Sequence, residues 1–101
     1  MKEDDKRFDA AHRIIKRGDL LVLSEQLQTG LDPNLRNRYG WTLLMLSALN
    51  GRTDMAEVLI AAGADAGTVN KFGDSAAILA EPKKHKRTKT IVEQVNQGDG
   101  E

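Results

Sequence analysis

Few residues in this chain could do covalent or acid–base chemistry. The two histidines, His12 and His85, lie far apart. Neither has a second ligand three or four residues further on, of the kind a zinc site built on a helix uses. His85 sits inside the basic run KKHKRTK and reads as a solvated member of it. There is no cysteine, which removes thiol nucleophiles and thiolate ligands. Asp4 and Asp5 are adjacent, but on an end expected to fray they make a poor carboxylate pair for general acid–base work. No G-x-S-x-G elbow, phosphate-binding glycine loop or H-E-x-x-H helix is present. The residues predict no enzyme, no metal site and no cofactor.

The bulk numbers point to a folded, soluble domain. At 101 residues the chain makes one small domain, and 40% apolar with 30% charged residues is a globular balance rather than a disordered one. Lys+Arg and Asp+Glu are 15 each, so the whole-chain field favours neither nucleic acid nor membrane. The charge is uneven, because MKEDDKR mixes signs and KKHKRTK carries no acid. The absence of cysteine points to a reducing compartment, and a cytoplasmic location is expected. No apolar run approaches the roughly 20 residues of a membrane span. MKEDD does not open a signal peptide.

The elements that could position a binding surface repeat. Gly18 and Gly51, Gly30 and Gly63, and Gly40 and Gly73 are each separated by 33 positions. Asp32 pairs with Asp65, Asn37 with Asn70, Tyr39 with Phe72, and Thr42 with Ser75 in the same register. NRYGWT and NKFGDS read as turns, since Asn and Gly tolerate positive φ. Thr42 and Ser75 read as helix N-caps, with Asp9 in the matching place of the first unit. Short helices follow: AAHRIIKR, LLMLSALN and AAILA. Second helices follow at 19–29 and 52–62, with Leu20, Leu23 and Leu27 on one stripe and Met55, Val58 and Leu59 on the other. A third is expected at about 86–96, with Ile91, Val92 and Val95 facing in.

A helix, a tight turn, a second helix and a turn-rich hairpin recurring every 33 residues resembles the ankyrin repeat. NRYGWTLL followed by GRTDMAEVLIAAGADAGTVN carries the resemblance, as does GDLLVLSEQLQTGLDPN. It covers about residues 5–96 and implies an all-α repeat, an α-solenoid of about three stacked helix-turn-helix units with short hairpin loops. The units fall at about 5–37, 38–70 and 71–96 of a single domain, with 97–101 a frayed tail. Polar outer faces on the first and last helices suit capping units, so a complete short array is expected. The pattern departs from the family at the Thr-Pro-Leu-His tetrapeptide, which reads Thr42-Leu43-Leu44-Met45 in the middle unit, and only His12 keeps the histidine. The resemblance implies that His12 hydrogen-bonds within its own turn region. Pro82 and Lys84 replace the usual turn of the last unit.

The stretch WTLLMLSALN is almost wholly apolar, as suits a helix buried on all sides. The resemblance implies that Leu43, Leu44, Ser47 and Ala48 pack between units. It places Leu46 and Leu49 on a concave groove, in ladders of Arg13, Leu46 and Leu79, then Lys16, Leu49 and Pro82, then Arg17, Asn50 and Lys83. Hairpin tips add Arg38, Tyr39, Trp41, Lys71 and Phe72. One face thus presents Tyr39, Trp41, Leu46, Leu49 and Phe72 rimmed by Arg13, Arg17, Arg38, Lys71 and Lys83. Trp, Tyr and Arg are the residue types enriched at interface hot spots. The competing reading folds Tyr39 and Phe72 back over the hairpins to cover Leu46.

The resemblance implies a protein partner held by rigid recognition, as an inhibitor, an immunity protein or an adaptor. Nucleic acid is the weaker alternative, since Thr88 and Thr90 interrupt the basic run and no aromatic lies nearby to stack on a base. A monomer is expected, and a homodimer through the apolar groove is the remaining alternative.

Overall fold

In the computed structural model, residues 3–80 are described. Five helices follow in order: α1 (Glu3–Arg17), α2 (Leu20–Gln28), α3 (Leu43–Leu49), α4 (Thr53–Ala61) and α5 (Ala76–Leu79). The chain thus shows two antiparallel helix pairs and the opening helix of another. The second helix expected at about 86–96, Pro82 and the basic run lie outside the described residues.

The caps form as their chemistry dictates. Thr42 Oγ1 accepts the Met45 amide at 3.2 Å, and the Met45 sulfur accepts the Thr42 amide at 3.4 Å. Ser75 Oγ accepts the Ile78 amide at 3.3 Å. Each cap also closes its hairpin through one antiparallel bridge, Arg36 with Thr42 and Val69 with Ser75. Gly18 and Gly51 end α1 and α3 with φ of 73° and 67°. Here the chain must turn left-handed, and glycine does so without the Cβ penalty.

Asp9 is not an N-cap. α1 runs back through Asp9 to Glu3, giving 15 residues where α3 has 7. Phe8, Ala11 and Ile15 lie on its buried face. Lys6, Arg7, Asp9, Arg13, Lys16 and Arg17 lie on the exposed one. His12 therefore sits mid-helix. Its ring meets Phe8 at 6.4 Å between centroids rather than a turn amide.

What covers the apolar stretch is the stack itself. From Leu43 to Ala48 every residue of α3 is buried, and α3 packs on α1, α4 and α5 together. Ser47, the polar exception, donates its hydroxyl to the Leu43 carbonyl at 3.0 Å, so its burial leaves no unmet group. From the second helices, Leu23, Met55, Ala56 and Leu59 complete the core. Val58 is only half-buried, so the α4 stripe turns toward Ala56.

The first two units are tied at three separate places. Asn34 Nδ2 donates to the Gly63 carbonyl at 3.0 Å, and Asn34 Oδ1 accepts the Asp65 amide at 2.7 Å. Arg52 Nη2 donates to the Lys16 carbonyl at 2.8 Å, over Gly18. Arg38 donates its amide to Asp5 Oδ1 at 3.2 Å.

Candidate protein-binding cleft

Three elements build an open cleft of about 400 Å³: α1, the hairpin from Asn37 to Trp41, and α3. Its apolar surface comes from Phe8 on α1, Trp41 on the hairpin and Leu46 and Leu49 on α3. Its polar rim comes from Asp9, His12 and Lys16 on α1 and from Asn50, the C-cap of α3.

The hairpin holds Trp41 because Asn37 organises it from inside. Asn37 Oδ1 accepts the Tyr39 and Trp41 amides at 2.9 and 3.0 Å. Asn37 also receives the Gly40 amide at its carbonyl and gives its own amide to the Trp41 carbonyl. Asn70 repeats this in the next hairpin, accepting the Phe72 and Asp74 amides at 2.9 and 3.0 Å. The hairpins stack through one main-chain bond, from the Lys71 amide to the Tyr39 carbonyl at 2.9 Å. Stacking brings the Tyr39 and Phe72 rings to 6.5 Å between centroids, and Arg38 lies over the Tyr39 ring at 5.8 Å.

Burial sorts the predicted site residues into groups. Tyr39, Leu49 and Phe72 are exposed at 49%, 44% and 67%, so these aromatics stand out on the tips instead of folding back over Leu46. Arg38 and Lys71 are exposed beside them. Trp41 is half-buried and packs against the core with one edge in the cleft. Leu46 corrects the sequence expectation: at 5% exposure it is core, reaching the cleft only as its floor. The reason is packing on several sides: α3 lies against α1, α4 and α5 together, and Phe8 and His12 of α1 border the same cleft.

Arg13 and Arg17 are exposed on the last turns of α1 but do not line the cleft, whereas Lys16 does. Phe8 and His12 were missed as site residues. The 33-residue register pairs Phe8 with Trp41 and was the signal that could have found it. Lys83, the last rim residue expected, lies outside the described residues. Among the described residues no cluster of three or more histidines or acids could hold a metal ion. No helix among them is long and apolar enough to cross a membrane.

Comparison with known proteins agrees with this architecture. The family described as ankyrin repeats, present in many copies, matches residues 27–80. The bovine mitochondrial disaggregase is 44% identical over 64 residues, covering 63% of this chain and 10% of that protein. Human protein phosphatase 1 regulatory subunit 27 is 33% identical over 73 residues, covering 72% of this chain and 47% of that protein. The equine ankyrin repeat, SAM and basic leucine zipper domain-containing protein 1 is 32% identical over 62 residues, covering 61% of this chain and 13% of that protein. The chain spans less than half the length of each of these relatives. The family match covers more than half of the chain, and the chain belongs to the ankyrin-repeat family.

Proposed function

We propose that this chain is a protein-interaction module that holds a partner protein across the α1–α3 cleft and the two hairpin tips. The observation that carries this reading is the exposed ladder of Leu49, Tyr39 and Phe72 beside the cleft. Three large apolar side chains left in water on one face favour a partner that covers them. Family membership supports the reading, because ankyrin repeats generally bind other proteins. One relative is named as a regulatory subunit of a phosphatase, which supports a protein as the thing bound.

The chemistry is recognition without catalysis. The cleft walls are fixed by packing and by hydrogen bonds between units, so binding orders little of this chain. The test is capture from source-cell lysate with wild type and with a Tyr39→Ser/Phe72→Ser variant, both at surface positions. A protein retained by wild type and lost by the variant supports the surface. Equal retention by both moves the site elsewhere. An inhibitor role predicts that the captured protein, if an enzyme, loses activity on addition of this chain; an adaptor role predicts that it does not.

A further inference from the structure

The end of α1 carries a charge pattern that the interaction reading does not use. From Ala10 to Gly18 the chain has three exposed cations, Arg13, Lys16 and Arg17, and no acid. Among the described residues, none of the three meets a carboxylate within salt-bridge distance. Asp19, the next acid in sequence, pairs with none of them. Arg52 adds a fourth cation at the same helix end, its guanidinium hydrogen-bonded to the Lys16 carbonyl at 2.8 Å. A helix C-terminus favours nearby cations by about 0.3–1 kcal/mol each. That accounts for part of the pattern but leaves all four charges without a counter-ion among the described residues.

The cleft is correspondingly polar along its length. Asp9 stands at one end and Lys16 at the other, roughly 10 Å apart along α1 at 1.5 Å rise per residue. Phe8, Trp41 and Leu49 line the same cleft. Elsewhere on the binding face Arg38 has its own carboxylate, Asp5, at 3.6 Å. Lys71, on the second hairpin tip, is a single exposed cation, whereas Arg13, Lys16, Arg17 and Arg52 gather at the end of α1.

We infer that the cleft takes an acidic peptide segment of its protein partner: an apolar side chain enters between Trp41 and Leu49, and carboxylates next to it meet Lys16, Arg13 and Arg17. This rests on the interaction reading and narrows it to one chemical class. Guanidinium groups favour carboxylates because their paired N–H donors match the two oxygens. An extended peptide covers about 3.3 Å per residue, so acids within three or four residues of the anchor reach this helix end.

The test is selection of a random 12-residue peptide display library on the immobilised full chain. Selected peptides are then measured by fluorescence anisotropy against wild type, an Arg13→Glu/Lys16→Glu/Arg17→Glu variant and a Leu49→Ser variant, each checked for native circular dichroism. The expected result is enrichment of an apolar residue flanked by Asp or Glu. Affinity should fall roughly tenfold or more on charge reversal, consistent with three exposed pairs of modest strength, and weaken with added salt. Selected peptides without acidic enrichment, or indifferent to the charge reversal, overturn the inference. If they still depend on Leu49, the wider interaction reading survives. Enrichment of basic peptides, or no enrichment, also overturns it. So does displacement of the selected peptide by a single-stranded oligonucleotide at equal concentration, which would assign the cations to nucleic acid.

Discussion

The Asp5 carboxylate accepts the amide of Arg38, 33 positions later. One unit on, at the same register, the Lys71 amide finds the main-chain carbonyl of Tyr39. A side chain on a helix thus does at the first unit what a hairpin does at the next. The row of hairpins needs an acceptor where it begins, because a part-buried amide without one costs about 1–3 kcal/mol. The extended α1 supplies that acceptor from Asp5, itself only 9% exposed.

Asp5→Ala should therefore destabilise the chain by about 1–3 kcal/mol, since the Arg38 amide loses its acceptor. Arg38→Ala should cost under about 1 kcal/mol, because it removes an ion pair from a side chain that is largely in water and leaves the amide bond in place. Urea denaturation of the two variants gives the comparison. Equal losses would show that the ion pair, and not the amide, holds the end.

Gly40 and Gly73 share one backbone conformation, with φ of 80° and 82°, but not one environment. A Cβ at Gly40 would stand 3.2 Å from the Asn70 Cα, whereas at Gly73 nothing lies within 4 Å. Both alanine variants carry the left-handed cost of roughly 1–2 kcal/mol. Gly40→Ala should lose clearly more, because the neighbour is backbone. Thermal unfolding of the pair measures how tightly the two hairpins stack.

Leu46→Ala should cost about 2–5 kcal/mol as a cavity in the core. Leu49→Ala, three residues on at an exposed position, should stay within about 1 kcal/mol. A polar change at Leu46 would abolish binding by loosening the fold, which makes it an unsuitable probe of the surface. Denaturant midpoints for both variants decide the point; a near-neutral Leu46→Ala would return that residue to the exposed groove.

The repeating half of this architecture was legible because it is local. Thr42, Ser75, Asn37, Asn70 and the paired glycines act on amides a few residues away, so their types and spacing are enough. Asp9 misled for the opposite reason. It has the cap chemistry and the right register, but α1 runs straight through it from Glu3, and nothing within its own turn tells a helix to begin there. Leu46 followed from the same gap. Its burial depends on how α3 packs against α1, α4 and α5 together, which a 33-residue register does not state. The aromatic tips were better read: Tyr39 and Phe72 were named together because they share a register, and stacking brings their rings side by side.

The three ties between the first two units also bear on how the chain comes apart. In a linear array, the coupling between neighbours decides whether units melt singly or as a block. Here Asp5–Arg38, Arg52–Lys16 and Asn34 with Gly63 and Asp65 fasten the same two units at the hairpin, at the helix turn and at the loop. Loosening one tie leaves the other two closed, so α1 and α3 are expected to open together as one foldon. Their slowest amides should exchange with solvent at a common free energy, and a bound guest would raise both by the same amount.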